Sequence, residues 1–192
     1  MRLKRSFFER NSTVVAKNLL GKILVRIIND QRVSGIIVET EAYRGDKDPG
    51  SHAYKKITDR NKIMFGPPGV AYVYLCYGNH YLLNIVTEKE GFPGAVLIRA
   101  LEPYENIKLM KILRKVDDEY KLTNGPGKLT EALAIGRKEN GLDVVNSKNL
   151  FIEDLKDRKK FKIISTSRVG IKQGLDKKWR FYIEGNKYVS VI

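Results

Sequence analysis

The run Gly66-Pro67-Pro68-Gly69-Val70-Ala71-Tyr72-Val73-Tyr74-Leu75-Cys76-Tyr77-Gly78-Asn79-His80-Tyr81-Leu82-Leu83-Asn84-Ile85-Val86-Thr87 spells out turn, strand, turn and strand. Its first four residues are a breaker, because proline presets φ and glycine tolerates the left-handed region. Val70–Tyr77 is then rich in aromatic and β-branched residues, and Gly78-Asn79 turns the chain back into Tyr81–Thr87. That pattern predicts an antiparallel hairpin.

Working outward, Asn11-Ser12 caps a predicted helix over Val14–Leu20 that stops at Gly21. Lys22–Ile28 and Val33–Thr40 read as a strand pair joined across Asn29-Asp30-Gln31-Arg32, and Asp46–Lys56 is polar and turn-rich. Beyond the hairpin, Ala95–Leu101 is a strand closed by Pro103. Helical period returns over Tyr104–Val116, where Ile107, Met110, Lys111 and Arg114 give an amphipathic, basic helix. Asn124-Gly125-Pro126-Gly127 starts a second helix with Leu129, Leu133 and Ile135 inward. Leu150–Ile152, Lys162–Ser165 and Arg180–Val191 return to strands, with a turn at Gly185-Asn186. Short strands, few helices and no regular βαβ alternation predict an α+β fold. With no repeat or linker, the expectation is a single domain over residues 1–192, a curved, mostly antiparallel β-sheet core flanked by a few helices.

The 192 residues carry 36 Lys+Arg against 22 Asp+Glu, a net charge of +14, which favours a polyanion such as nucleic acid or an anionic membrane. At 42% hydrophobic and 30% charged, the chain is too apolar to be disordered throughout. The lone Cys76 excludes an intrachain disulfide framework, a Cys-rich zinc module and a protein-ligated iron–sulfur cluster. Two histidines, His52 and His80, are too few for a His-rich metal site. No apolar run approaches the roughly 20 residues that span a bilayer. Charges interrupt the first ten residues, so a secretory leader is not expected and a reducing cytoplasm is.

Six of the ten tyrosines (Tyr43, Tyr54, Tyr72, Tyr74, Tyr77 and Tyr81) and both histidines fall between residues 43 and 81. In a basic protein such a cluster suits stacking on bases, at about 1–3 kcal/mol each. An aromatic strand pair in a core explains it equally well. In Val38-Glu39-Thr40-Glu41-Ala42-Tyr43, alternation puts Glu39, Glu41 and Tyr43 on one face. Two carboxylates at the end of an apolar strand need partners. They can ligate a metal, act as a general base or pair with an arginine. A two-metal nuclease wants three or four acids, and Asp46 and Asp48 are the available supplement. A general base is the simpler reading, with Arg99 as the cation that holds it ionised.

Glu39-Thr40-Glu41-Ala42-Tyr43, His52, Met64-Phe65, Pro68-Gly69, Tyr72-Val73-Tyr74, Tyr77-Gly78, Asn84-Ile85 and Leu97-Ile98-Arg99-Ala100-Leu101-Glu102-Pro103 together resemble the alkyladenine (3-methyladenine) DNA glycosylase family. The resemblance continues in order through Gly125-Pro126-Gly127-Lys128-Leu129, Ala132-Leu133-Ala134-Ile135, Arg168-Val169-Gly170 and Arg180-Phe181-Tyr182.

It implies an enzyme that flips alkylated or deaminated purines out of double-stranded DNA and hydrolyses the N-glycosidic bond, with no metal or other cofactor. By similarity Glu41 is the general base and Arg99 helps it hold the water. Tyr43, His52 and Tyr74 stack on or border the flipped base, Asn84 disfavours guanine, and Tyr77 is the wedge that fills the gap in the DNA. Lys128, at a helix start, is a candidate contact to the DNA backbone. A monomer, cytoplasmic or nucleoid-associated, is expected. Tyr72 and Tyr81 are expected to pack, Glu39 to be structural and Cys76 to be a small core residue; His80 and Met64 stay open. The chain departs from some relatives at the hairpin tip, where polar Asn79-His80 follows the glycine instead of apolar residues. The rivals are a non-enzymatic nucleic-acid-binding module using the tyrosines for stacking, a metal-dependent nuclease on Glu39, Glu41, Asp46 and Asp48, and a glycosylase/lyase with a lysine nucleophile, although no lysine falls within the pocket motif and Lys55 and Lys56 are only near it in sequence.

Overall fold

The computed structural model describes residues 1–45, 47–155 and 160–191; Asp46, one of the acids of the nuclease reading, lies outside the described residues. In chain order the elements are α1 (Arg5–Phe8), α2 (Ser12–Leu19), β1 (Ile23–Ile28), β2 (Gln31–Arg44), β3 (Ala71–Cys76), β4 (His80–Val86) and β5 (Gly94–Glu105). There follow α3 (Ile107–Arg114), α4 (Pro126–Ala132), β6 (Leu150–Glu153), β7 (Ile163–Thr166) and β8 (Arg180–Ile183). The strands form one antiparallel sheet in the order β3-β4-β5-β2-β1-β6, with β8 also paired to β2 and β7 to β8. The predicted α+β class and curved sheet are therefore present.

β2 is the backbone of this architecture. Asn29 and Asp30 both take positive φ (47° and 62°), so β1 and β2 are joined by a two-residue turn and not by the four residues expected. One edge of β2 pairs with β5; the other is shared, Gln31–Ile36 with β1 and Glu39–Glu41 with β8. Register shifts beside Glu39 fall at this changeover and bend the strand. β2 therefore runs on past the expected end at Thr40 to Arg44. β5 likewise runs through Pro103, which lies at another register shift, opposite Gly35. A Cβ on Gly35 would stand 2.8 Å from that of Leu101, so only glycine admits this approach.

α3 starts later than expected, because Tyr104 and Glu105 remain in β5 and Asn106 breaks the chain at φ 57°. The strand expected over Arg180–Val191 is confined to β8, and the chain after Gly185-Asn186 folds back toward β2 instead. α1 carries no periodic signal and was not anticipated; it buries Phe8.

Alternation divides the sheet into two faces. Ala42, Ala71, Val73, Leu83, Ile85, Val96 and Ile98 join α2 and α4 in the main core, where Leu129, Leu133 and Ile135 point inward as predicted. On the other face a smaller apolar cluster of Ala53, Met64, Tyr72, Val86 and Ala95 forms a floor. No described helix is long and apolar enough to cross a membrane.

Candidate active site

The ladder register sets Tyr72, Asn84, Leu97 and Glu41 opposite one another across β3, β4, β5 and β2, with Arg180 of β8 next to Glu41. Residues far apart in sequence thus share one row. The row borders a cleft of about 730 Å³, whose wall includes Tyr43, His52, Tyr72, Tyr74, Asn84, Arg99 and Val169.

Glu39 and Glu41 are both 0% exposed. Glu39 Oε1 accepts from Arg99 Nε at 2.8 Å, Arg180 Nε at 2.7 Å and Ser190 Oγ at 3.0 Å, and Oε2 accepts from the Ser190 N–H at 2.7 Å. Burial alone would raise its pKa, but the Arg99 charge, the Ser190 N–H and Arg180 outweigh burial and hold it below the usual carboxylate value. Glu39 is the structural acid expected. Glu41 is held more lightly: Oε1 accepts from the Val169 N–H at 2.7 Å and has Arg99 Nη1 at 3.4 Å, and Oε2 accepts from the Tyr43 hydroxyl at 2.7 Å. Here burial prevails over Arg99, and the Glu41 pKa is raised. The three groups that touch Glu41 all belong to the cleft wall, so its carboxylate lies one layer behind it.

The aromatic wall is continuous. His52 Nδ1 lies 3.0 Å from the Tyr72 hydroxyl, its ring meets Tyr74 edge-on at 4.8 Å, and Tyr72 and Tyr74 are 5.1 Å apart. His52 is open to the cleft yet surrounded by protein; burial and then the charge of Arg60 lower its pKa to about 4, so it is neutral at pH 7. Burial first, and then the Glu41 charge, raise the Tyr43 hydroxyl well above its usual pKa, so it remains a donor. The buried Asn84 amide donates to the Tyr72 carbonyl at 3.2 Å, which fixes its orientation in the cleft. Tyr72 packs as expected, but it also anchors His52, a role the sequence does not signal.

Tyr77 stands at the hairpin tip, 89% exposed and at φ 50°, where it still borders the cleft. The loop is Tyr77-Gly78-Asn79, since His80 already pairs with Cys76. Lys128 stands on the cleft rim, its ammonium on Asn124 Oδ1 at 2.8 Å. His80 packs on the start of α4, where a Cβ on Gly127 would come within 2.9 Å of it. Tyr81 packs against the main core, and Met64 belongs to the floor. Cys76 differs from expectation: it is half-buried on the cleft wall, because β3 projects beyond the core near its tip.

Several residues that shape the site received another role, or none, from the sequence. Asp48, a possible metal supplement, is instead fully buried in a bidentate pair with Arg168, both bonds 2.6 Å. Arg168 also donates to the Ala42 carbonyl and lies 4.8 Å from the Tyr43 ring centroid, so the pair fixes both Tyr43 and the neighbouring Val169. Arg180 and Ser190, which complete the shell of Glu39, are equally distant in sequence. The only sequence signal for the two arginines is that Arg168-Val169-Gly170 and Arg180-Phe181-Tyr182 belong to the resembling set; Ser190 has none. Among the described residues no three His, Cys, Asp or Glu side chains converge as a metal-binding group, and neither Lys55 nor Lys56 lines the cleft.

Comparison with known proteins shows the family. A family model described as methylpurine-DNA glycosylase matches residues 6–187. The chain is 49% identical over 190 residues to a protein of Carboxydothermus hydrogenoformans, with 99% of each chain covered. It is 50% identical to one of Prosthecochloris aestuarii, covering 98% of this chain and 91% of that one. It is 48% identical to one of Methanocella arvoryzae, covering 98% and 95%. Each of these relatives carries the name "Putative 3-methyladenine DNA glycosylase". With nearly its whole length matched both by the family model and by relatives at about half identity, the chain belongs to the methylpurine-DNA glycosylase family.

Proposed function

We propose that this chain, acting as a monomeric single domain without a cofactor, is a monofunctional DNA glycosylase of the cytoplasm or nucleoid. It removes alkylated or deaminated purines from double-stranded DNA, the class of 3-methyladenine, 7-methylguanine, hypoxanthine and ethenoadenine. The observation that carries this reading is the placement of Glu41 behind Tyr43, Arg99 and Val169, at the end of a cleft walled by tyrosines.

A base inside a duplex is shielded by the stack, so it must first leave, at a cost of a few kcal/mol. Tyr77 fills the space from the minor groove, and the extruded purine lies among Tyr43, His52 and Tyr74, where an electron-poor base gains from electron-rich rings. Asn84, fixed by its bond to the Tyr72 carbonyl, disfavours the exocyclic amine of guanine, so an unmodified guanine, which also lacks an activated leaving group, is rejected while cationic 7-methylguanine is still released. Glu41 takes a proton from a water held with Arg99 as that oxygen bonds to C1′. The C1′–N bond breaks, its electron pair leaving with the purine, and the ionised Glu41 stabilises the cationic sugar on the way. Neutral His52 cannot serve as the acid for the leaving base at pH 7, so its part is to border the base. A purine already cationic needs no such acid.

The test is release of free 3-methyladenine or hypoxanthine from duplex DNA in excess chelator. The expected result is an uncleaved abasic site, with release lost in Glu41→Gln while lesion binding persists. No release by the parent would leave only a binding module. Prompt strand cleavage would indicate a lyase, loss in chelator a nuclease, and turnover by Glu41→Gln would remove Glu41 as the base.

A further inference from the structure

One cation in the cleft has no part in the steps above. Arg60 precedes the short helical turn Lys62–Phe65, and its guanidinium carbon lies 4.6 Å from the centroid of the Tyr74 ring. Its side chain is solvent-exposed and lines the cleft. Among the described residues no ion pair holds it. Its charge is nevertheless felt by the wall: after burial it is the second influence lowering His52, and it opposes the rise that burial gives Tyr72. Of the cations that line the cleft among the described residues, Arg99 is tied to Glu39, Arg114 to Glu131 and Lys128 to Asn124, whereas Arg60 meets only neutral aromatic residues, the face of Tyr74 and, through a side-chain hydrogen bond, Tyr72.

A tyrosine face attracts a guanidinium and an electron-poor ring for the same reason, the negative charge of its π-surface. Arg60 and a flipped base are therefore competitors for Tyr74. We propose that Arg60 is a specificity-determining residue: it must yield the Tyr74 ring to an incoming base, and its charge biases the cleft toward neutral damaged purines over cationic ones. This rests on the flipped-purine reading above. A neutral purine such as hypoxanthine offers a carbonyl and a ring nitrogen, both acceptors for the five N–H donors of a displaced guanidinium. A cationic purine such as 3-methyladenine in DNA brings a second positive charge beside the first. Because Arg60 is exposed, the bias is screened by salt.

The experiment measures kcat/KM for duplexes carrying a single hypoxanthine or 3-methyladenine, in the parent, Arg60→Gln and Arg60→Lys. Arg60→Gln is expected to shift the ratio toward 3-methyladenine by about five- to tenfold, as for a partly screened charge contact. Arg60→Lys, which keeps the charge, stays within about twofold of the parent, and the Arg60→Gln shift shrinks at high salt. An unchanged ratio, an equal fall for both lesions, or the same shift in both variants would overturn the proposal. A parent that releases neither base overturns the glycosylase reading itself, which is distinguishable from a parent that releases both in a ratio Arg60 does not move.

Discussion

Glu39 and Glu41 stand two residues apart on one strand, and their neighbours separate them. Glu39 receives four hydrogen bonds from Arg99, Arg180 and Ser190, and its pKa is lowered. Glu41 is raised, first by burial and least by the Glu39 charge, against Arg99, the Val169 N–H and the Tyr43 hydroxyl. Environments that push two carboxylates apart assign them different work. The signs follow. Glu39, lowered from 4.5, contributes stability above that pH and loses it as pH falls through the lowered value. Glu41 is raised; if it is the proposed base it works only when ionised, so base release is expected to fail as pH falls through a point above 4.5. Glu39→Gln removes a repelling charge from Glu41 and frees Arg99 toward it, so the acidic limb of the kcat/KM profile is expected to move to lower pH. The same change strands Arg99 and Arg180 beside a neutral group and costs about 3–5 kcal/mol of stability in denaturant unfolding. An acidic limb that stays in place or rises would show that Glu41 does not set it.

At the scale of elements, the β3–β4 hairpin presents Tyr77, the proposed wedge, and half of the aromatic wall. It was legible because its signals are local: alternation in Tyr72-Val73-Tyr74 and a glycine at the tip. α4 was legible for the same reason, from Gly125-Pro126 and the spacing of Leu129 and Leu133. The pairs Asp48–Arg168 and Glu39–Ser190 were not, since partners 120 and 151 positions apart leave no trace in a window of ten or fifteen residues. The length of β2 was hidden as well, because the bend that carries it from β1 to β8 is made by unequal pairing and not by a breaker residue. The tip also offers a clean separation of folding from flipping. Tyr77 is 89% exposed and sits at φ 50°, a left-handed conformation costing a non-glycine residue roughly 1–2 kcal/mol. Tyr77→Ala is expected to leave stability within about 0.5 kcal/mol. Tyr77→Gly is expected to raise it by about 1 kcal/mol through relief of that strain. Both should weaken base flipping, read from the fluorescence of a flipped base analogue. An unchanged signal in either variant would reject the wedge.

At the scale of the whole molecule, the net charge of +14 and the specificity of the cleft belong to different surfaces. Neutral rings and an amide share the cleft wall with Arg60, Arg99, Arg114 and Lys128, and the acids behind it are matched by Arg99, Arg168 and Arg180. Most of the 36 Lys and Arg nevertheless lie outside the cleft, where positive charge meets phosphates regardless of sequence. Release of counterions then makes binding fall with salt at about 0.9 logarithmic units per phosphate contact and per decade of salt. Damaged and undamaged duplexes share those phosphates, so for a neutral lesion their affinities should fall in parallel while the ratio between them, set in the cleft, holds; a cationic lesion adds the salt-screened Arg60 contribution. Lys128 tests the division at one residue, because it stands on the rim with its ammonium engaged only by Asn124 among the bonds described. Lys128→Ala is expected to weaken both duplexes alike and to reduce the salt slope by about 1. Titrations of lesion and lesion-free duplexes at several salt concentrations give both quantities. A loss confined to the lesion duplex would move Lys128 from the phosphate grip into base recognition, and an unchanged slope would remove it from the DNA interface.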